Sequence, residues 1–362
     1  MKHSGLEKDR VVYLDVLRVA AIFSVVTLHV AAVDFRAYPI QSMEWQISNF
    51  YHAVTRCAVS PILFMLSGAL FLDPGRNVTI RRLWSKNILR IVTAFVFWSA
   101  LYALITHRGA WDAKSFWIVF LRGHYHMWFL YAIVVLYILT PFIRPLVTDR
   151  LLLRYFLALT FTCAILLPTL QSLPALRLLN ELISPATTRL KLNAALFSQY
   201  AFYFVLGHCL SDEDNELRQF LERHILIVYA LGLFGAFVTI AGTWWLTFDA
   251  GKRVEVLLSR TSVFIAIQAV AFFLFVKRLY TGNVVSARAR GVITALSALS
   301  FGTYLAHECF IILFLRTLKY NVFLSRELPL SEVPLLALLV FGCSLAVSWI
   351  IHRVPVLRDY IV

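Results

Sequence analysis

Long runs of apolar residues, separated by short polar stretches, follow one another along the whole chain. A transmembrane helix needs about 20 predominantly apolar residues. Runs of that length cover residues 11–33, 48–72, 84–106, 126–146, 151–171, 194–210, 225–247, 254–277, 291–315 and 333–352. Because backbone amides in lipid need hydrogen-bond partners within their own segment, such runs must be helices. The pattern predicts an all-α polytopic membrane bundle of about ten transmembrane helices, with residues 1–362 forming one domain.

The basic residues between the runs predict how the bundle is oriented. Cytoplasmic loops are enriched in Lys and Arg. With the N-terminus in the cytoplasm, the cytoplasmic side carries 19 of these residues and the opposite side 12, so both termini are predicted to be cytoplasmic. The charged N-terminal segment MKHSGLEKDR leads into a run with no clear small-residue cleavage site. That first run is therefore predicted to be a retained span, and a signal peptide is not expected.

Composition excludes the soluble classes of protein. Hydrophobic residues make up 60% of the chain and charged residues 15%, whereas a soluble domain has about 25% charged residues. The net charge of +14 fits basic cytoplasmic loops, so the predicted partner is the lipid bilayer, with no nucleic acid. The five cysteines lie in apolar runs without metal-ligand spacing, and we predict no metal site.

The first run carries three ionisable residues, Asp15, Arg18 and His29. A charge inside a membrane costs about 2.5 to 3.5 kcal/mol and therefore faces a polar interior. At about 100° per residue the three side chains share one helix face, with Arg18 and His29 roughly 16 Å apart along it. Two interpretations stay open. The face lines a cavity, or Asp15 and Arg18 form a structural pair while His29 bonds to a neighbouring helix.

The second run combines a buried cation with signs of a bend. Arg56 lies deep enough in this run to need a partner. Pro61 and Gly68 predict a bent helix that packs closely against a neighbour. Ser67, taken alone, is more typical of a packing residue than of a chemical group.

Further polar residues interrupt three of the later runs. They are His126 and Trp128 in the fourth run, Tyr203 in the sixth, and Tyr304, His307 and Glu308 in the ninth. His307 and Glu308 are adjacent, so their side chains point about 100° apart and are not expected to act as a base and its orienting group. Tyr304 shares a face with either of them. Arg260, in the eighth run, is a candidate counter-ion for Glu308 or Asp15.

Four stretches carry a resemblance to a known family. They are LDVLRVAAIFSVVTLH, with an Arg, ten residues and a His, then SPILFMLSGALFL, HMWFLYAIVVLYILTPFI and LSFGTYLAHECFIILF. In this order they resemble the acyltransferase 3 family of integral membrane O-acyltransferases, over nearly the whole chain. Because no extracellular hydrolase domain follows the tenth run, the chain is most similar to short stand-alone members. Those members act on the enterobacterial common antigen or, as acetyl- or succinyltransferases, on exopolysaccharides.

The resemblance implies transfer of an acyl group, usually acetyl, from cytoplasmic acyl-CoA to a hydroxyl of a cell-surface polysaccharide or its polyprenyl-linked sugar precursor. It also implies a bacterial inner membrane, with acyl-CoA as a co-substrate and no bound cofactor. His29 is then the candidate base, since histidine titrates closest to neutral pH. Arg18, oriented by Asp15, is the candidate for holding a CoA phosphate or the thioester oxygen. The candidate substrate-binding residues are Arg56, Ser67, His126, Trp128, Tyr203, Tyr304 and His307.

Two questions of mechanism and class stay open at this point. Transfer at His29 is either direct or passes through an acyl relay. A secondary transporter or glycolipid exporter with an intramembrane Arg/His pathway is the alternative function. Acyl-CoA turnover separates the enzyme from the transporter.

Overall fold

The computed structural model describes residues 11–106, 113–173, 195–281, 285–318 and 329–362. Within these ranges the chain is helical and contains no strand. The basic residues of segment 1–10, and many of those in the predicted loops 107–125 and 172–193, lie outside the described residues. The predicted orientation of the bundle therefore remains a prediction.

The helices follow the predicted runs closely. They are α1 (Val12–Ala37), α2 (Met43–Val59), α3 (Pro61–Phe71), α4 (Ile80–Thr106), α5 (Ala113–Arg122), α6 (Trp128–Thr148), α7 (Arg150–Ser172), α8 (Ala195–Ser211), α9 (Glu216–Arg223), α10 (Ile225–Ala250), α11 (Val263–Tyr280), α12 (Ala287–Ile311), α13 (Pro329–His352) and α14 (Pro355–Tyr360). In the described part of the chain, nine helical stretches are long and apolar enough to cross a membrane, with α2 and α3 forming one of them. This confirms the predicted polytopic helical bundle.

The sixth predicted run, residues 194–210, corresponds to α8, which has 17 residues. The packing of α1 against α12 shows which way these two helices run. Asp15 accepts a hydrogen bond from Ser297, and His29 contacts His307, so the two helices are parallel. With the nine long stretches crossing in alternation, α1 and α12 run the same way only if α8 also crosses. We call the side where α1 begins the N-terminal face and the opposite side the far face.

The predicted bend and close packing in the second run are both present. The helix breaks at Ser60, and α3 begins at Pro61. A Cβ atom on Gly68 would lie 1.6 Å from the carbonyl oxygen of Phe204 in α8, and one on Gly207 would lie 2.0 Å from that of Met65. The two glycines therefore let the backbones of α3 and α8 touch.

The helix of the eighth run begins later in the sequence than the hydropathy of that run indicates. The pattern predicts a span from residue 254, but α11 starts at Val263, and Val256–Leu258 form one 3-10 turn. Hydroxyl contacts account for the difference, since Ser259 Oγ and Thr261 Oγ1 lie 2.7 Å apart and Ser259 Oγ accepts from the Thr261 amide. Arg260 consequently lies in an irregular segment between α10 and α11, at the far face.

The main core lies where α1, α3, α6, α8, α11 and α12 meet. Its buried side chains include Leu17, Phe64, Phe204 and Phe273. Large apolar side chains on the outer surfaces of the bundle are exposed, as expected for residues that face lipid. The polar residues described below are held inside this apolar frame.

Candidate active site

The acidic and basic residues near the start of α1 form a small network with α12. Ser297 Oγ donates to Asp15 Oδ1 at 2.6 Å, and Arg18 Nη1 donates to Ser297 Oγ at 3.0 Å. Arg18 Nη1 also lies 3.6 Å from Asp15 Oδ1. Asp15 is buried, whereas the Arg18 side chain keeps 31% of its surface accessible. Asp15 and Ser297 therefore hold a guanidinium that stays partly exposed.

Farther along the same two helices, His29 meets His307. Nδ1 of His29 lies 2.8 Å from Nε2 of His307, and the two rings stack with centroids 5.1 Å apart. Nδ1 of His307 lies 2.5 Å from the backbone carbonyl oxygen of Tyr304. His307 is fully buried, and His29 is half-buried.

The carbonyl of Tyr304 fixes the protons on both rings. A carbonyl oxygen only accepts, so Nδ1 of His307 must carry a proton and donate it. In the neutral ring Nε2 of His307 is then an acceptor, and Nδ1–H of His29 must donate to it. This leaves Nε2 of His29 with a free lone pair. The arrangement presents His29 as a base whose tautomer is set by the backbone.

Glu308 also lies beside the two histidines. A carboxylate oxygen of Glu308 and ring nitrogens of His29 and His307 lie within 4.8 Å of one another. Tyr125 donates its hydroxyl proton to Glu308 Oε2 at 2.8 Å. His307 and Glu308 both border His29, and the expectation that these two adjacent residues do not act as a base and its orienting group stays a prediction. A buried carboxylate here stabilises a positive charge on His29.

A second pair of histidines lies next to this centre. His124 Nδ1 and His126 Nδ1 are 2.9 Å apart, and the His126 ring lies edge-on to that of His307 at 5.0 Å. The backbone carbonyl of His126 accepts from the Tyr304 hydroxyl at 2.5 Å. His126 is buried, and its Nε2 has no hydrogen-bond partner among the described residues. The predicted substrate-binding residue His126 thus lies in the centre itself.

A cavity of about 520 Å³ leads from the N-terminal face toward this centre. Arg18, Arg90 and His352 line it near that face, and Tyr304 is the lining residue of α12 nearest the far face. Ser67 also lines it, with its hydroxyl donating to the Leu63 carbonyl at 3.0 Å. The cavity has a basic mouth and ends at the residue whose carbonyl holds His307.

Three of the other predicted residues, Arg56, Trp128 and Tyr203, gather around Arg260. Arg56 Nε donates to the Leu258 carbonyl at 2.7 Å, and the Tyr203 hydroxyl donates to the Arg260 carbonyl at 2.8 Å. The Arg260 guanidinium lies 4.1 Å from the centre of the Trp128 ring. The predicted pairing of Arg260 with Glu308 or Asp15 is wrong. Asp15 is paired within its own helix by Arg18, and Arg260 stacks on an aromatic ring.

The histidine centre also has the donor atoms of a metal site. His29, His307 and Glu308 offer two nitrogens and an oxygen within 4.8 Å. Two imidazole nitrogens on one tetrahedral zinc ion, at about 2.0 to 2.1 Å each, lie about 3.3 Å apart. The observed separation of 2.8 Å fits a shared proton better than a shared metal ion. The expectation that no metal is bound stays a prediction.

Sequence reasoning missed several residues of this arrangement. Ser297 and Arg90 were not singled out, although both contact or line the same region as Arg18. Tyr125 was missed as the partner of Glu308. A serine in an apolar run gives a weak signal, and Tyr125 resembles an interfacial aromatic residue. Arg90, a cation within the third run, could have been found by the reasoning applied to Arg56.

Comparison with known proteins gives one match. No curated protein and no solved structure is similar enough to match the chain. The model of the family Acyl_transf_3, described as an acyltransferase domain, matches residues 11–353, which include all the candidate site residues named above. The chain therefore belongs to the acyltransferase 3 family and is a multi-pass membrane acyltransferase.

Proposed function

We propose that this protein transfers an acyl group, most simply acetyl, from cytoplasmic acyl-CoA to a hydroxyl of a cell-surface polysaccharide or of its polyprenyl-linked sugar precursor. The membrane is the bacterial inner membrane, with the N-terminal face in the cytoplasm. Acyl-CoA is a co-substrate, and no bound cofactor takes part. The observation that carries the proposal is the cavity that leads from a basic mouth to the residue that orients the histidine pair.

The mouth of the cavity suits the donor. CoA carries phosphate groups, and Arg18 and Arg90 bring two guanidiniums to the N-terminal end of the cavity. A guanidinium binds phosphate through two parallel N–H groups. Farther in, the walls are apolar, with Leu63, Phe129 and Ile133 among them. The pantetheine arm and thioester extend along these walls toward Tyr304.

The histidine pair suits the chemistry of transfer. The acceptor hydroxyl gives its proton to Nε2 of His29 as its oxygen attacks the thioester carbonyl carbon. The C–O bond forms and the C–S bond breaks, so the ester and the CoA thiolate are the products. His29 then returns the proton to the thiolate. His307 and Glu308 stabilise the imidazolium that exists between the two proton transfers.

The family assignment favours this enzyme over the transporter alternative. A transporter needs no base whose proton is fixed by a backbone carbonyl, whereas acyl transfer to a hydroxyl does. The ring of His29 also faces Tyr125, whose side chain is exposed on the far half of the bundle. An acceptor therefore approaches His29 from the far face while the donor approaches from the other.

The direct test is the ester-linked acyl content of surface glycans, measured by mass spectrometry in the native host. Wild type is compared with a deletion strain rescued with wild-type protein, with His29→Ala, or with His224→Ala at equal membrane levels. We expect the deletion and His29→Ala to lack one acyl mass, and His224→Ala, an exposed residue far along the chain, to restore it. Restoration by His29→Ala would exclude His29 as the base.

The donor site has its own test in purified protein. Arg18→Ala is expected to raise the KM for acyl-CoA about tenfold or more, because a charge-assisted phosphate contact is lost. Arg81→Ala removes an exposed cation from the same face and is expected to leave KM unchanged. Equal behaviour of the two variants would remove Arg18 from donor binding.

A further inference from the structure

Two arginines lie together inside the bundle without a carboxylate partner. Neither Arg56 nor Arg260 forms an ion pair with any residue that the structure describes. Arg56 donates to a carbonyl two residues before Arg260, and Glu255, the acidic residue of that segment, is exposed. Uncompensated cations in a membrane interior are costly. Their presence indicates a site that an anion completes.

The segment that carries Arg260 is held rigidly by three helices. Tyr203 of α8 donates to the Arg260 carbonyl, and Arg56 of α2 donates to the Leu258 carbonyl. Thr169 of α7 donates to the Thr261 carbonyl at 3.1 Å and accepts from the Val263 amide. A preorganised cation loses little conformational freedom when it binds a ligand.

The rings of Trp128 and Tyr200 form an aromatic platform beneath the guanidinium of Arg260. Its carbon lies 4.1 Å from the Trp128 ring centre and 5.6 Å from that of Tyr200, and these rings stack at 5.8 Å. Stacking occupies a face of the guanidinium and leaves its edge N–H groups free for in-plane hydrogen bonds. Arg56 uses Nε for Leu258, so its two terminal nitrogens have no partner among the described residues. Both cations thus keep the donors that bind an oxyanion bidentately.

A buried amide without a partner among the described residues adjoins Tyr200 in the sequence. Gln199 precedes Tyr200 on α8 and is 1% exposed. Neither its Nε2 nor its Oε1 has a hydrogen-bond partner in the part of the chain that the structure describes. A buried amide without partners is unfavourable. A polar ligand with hydroxyl groups would satisfy it.

Arg56 is level with the candidate base His29, and Arg260 lies on the far-face side. His52 of α2 stacks on Phe35 of α1 with centroids 4.6 Å apart. Because α1 and α2 are antiparallel, Arg56, one turn farther along α2, is level with residue 31 of α1, two residues from His29. Arg260 belongs to the far-face segment, on the opposite side from the cavity mouth at Arg18.

We propose that Arg56 and Arg260, on the Trp128–Tyr200 platform, bind an oxyanion carried by the acceptor. The inference rests on the proposed function and narrows it to an anionic acceptor. Two sources supply such a group: the phosphate of a lipid-linked sugar and the carboxylate of an acidic sugar. In both, the anion holds the sugar so that a hydroxyl close to it reaches Nε2 of His29.

The test is a direct binding measurement on the full-length protein in nanodiscs of zwitterionic lipid. The probes are geranylgeranyl phosphate, the methyl glycoside of glucuronic acid, uncharged geranylgeraniol and adenosine 3′,5′-bisphosphate. We expect one of the first two to bind wild type and to lose about tenfold to 100-fold in affinity with Arg260→Gln and with Arg56→Gln. Lys252→Gln, which removes an exposed cation from the same segment, is expected to bind like wild type.

The pattern of probes identifies the source of the anion and checks the assignment. If the arginine variants lose affinity only for geranylgeranyl phosphate, the anion is a lipid phosphate. If they lose affinity only for the glucuronide, the anion is a sugar carboxylate. An equal loss for geranylgeraniol, or a loss only for adenosine 3′,5′-bisphosphate, overturns the proposal, since the site would then serve an uncharged lipid or the donor. Unchanged binding of all probes overturns it as well.

Folding and the proposed function are separated by two further measurements. Arg260→Lys keeps the charge and is expected to retain more affinity than Arg260→Gln, whereas general misfolding would lower both equally. The binding assay is repeated with His29→Ala, which is expected to bind the anionic probe normally. If wild type binds the anion but transfers no acyl group, the proposed function is contradicted and the anion site is still supported. If wild type transfers an acyl group and the arginine variants bind the anionic probes as wild type does, the anion site is contradicted and the proposed function is still supported.

Discussion

At the scale of single residues, a backbone carbonyl determines where the protons of the site lie. Tyr304 accepts from His307, His307 accepts from His29, and Nε2 of His29 is left as the base. His307 is in this scheme a positioning residue that acts through His29. A positioning residue of this kind is expected to affect kcat, whereas a residue that binds substrate is expected to affect KM.

Replacement of His307 tests this chain of hydrogen bonds. His307→Ala is expected to lower kcat about 100-fold or more, because His29 loses the acceptor that fixes its tautomer. His307→Gln is expected to recover part of the loss, since its amide oxygen can accept from Nδ1 of His29. Steady-state kinetics with varied acyl-CoA provide the measurement. A rise in KM with unchanged kcat, or identical kcat values for the two variants, would count against the positioning role.

Removal of metal ions tests the other arrangement that the same residues permit. The distance of 2.8 Å between His29 and His307 fits a hydrogen bond, so activity should not depend on a divalent metal. We expect incubation with a strong chelator, followed by transfer to metal-free buffer, to leave the turnover number unchanged. Loss of activity that zinc restores would assign His29, His307 and Glu308 as ligands instead.

Sequence reasoning found the candidate site residues more readily than their partners. Asp15, Arg18, His29 and His307 stand out because ionisable groups are rare in membrane spans. Their partners could not be predicted, because spacing in the sequence does not report contacts between distant segments. Ser297, for example, lies 282 positions from Asp15. The misassigned pairing of Arg260 has the same origin. Periodicity places a residue on a helix face but does not identify the helix opposite it.

At the scale of helices, the crossing of α3 and α8 holds the centre together. Phe64 of α3 packs against both Trp128 and Tyr200, and Gly68 and Gly207 bring the two backbones into contact. The crossing therefore supports the aromatic platform directly. A side chain at either glycine would push α8 away from α3.

Substitution of these glycines measures the crossing. Gly68→Ala and Gly207→Ala are expected to destabilise the protein by about 1 to 3 kcal/mol, since each Cβ would overlap a backbone carbonyl. Gly291→Ala is the matched control, because a Cβ there meets nothing within 4 Å. Thermal unfolding in detergent gives the comparison. Equal midpoints for all three variants would show that the crossing relaxes without cost.

Helix boundaries were predictable where lipid sets the length and less so where polar side chains interrupt a run. The first run, predicted from residue 11 to 33, is a helix from Val12 to Ala37. The eighth run, predicted from residue 254, becomes an α-helix only at Val263, since hydroxyl groups of Ser259 and Thr261 bond locally. Hydropathy alone does not report that kind of interruption.

At the scale of the whole molecule, the proposed function brings the two substrates to His29 from opposite faces. The basic cavity mouth at Arg18 and Arg90 lies at the N-terminal face, and the arginine pair beside Trp128 belongs to the far-face segment. The parallel packing of α1 and α12 connects the two, because Arg18 and Ser297 meet at one level and His29 and His307 at the next. In the proposed function the bundle is a membrane-spanning enzyme with separate donor and acceptor entrances.

Sealed proteoliposomes test this separation of the entrances. Acyl-CoA does not cross a bilayer freely, so transfer is expected only from molecules whose N-terminal face meets the added donor. The orientation of the protein in each preparation is measured with a membrane-impermeant thiol reagent. The reagent labels Arg81→Cys where the N-terminal face points outward and Lys252→Cys where the far face does. We expect activity to rise in proportion to the fraction with Arg81→Cys accessible, and permeabilisation to make all molecules equally active. Activity that instead follows the accessibility of Lys252→Cys would place the donor entrance at the far face and reverse the assignment of the two sites.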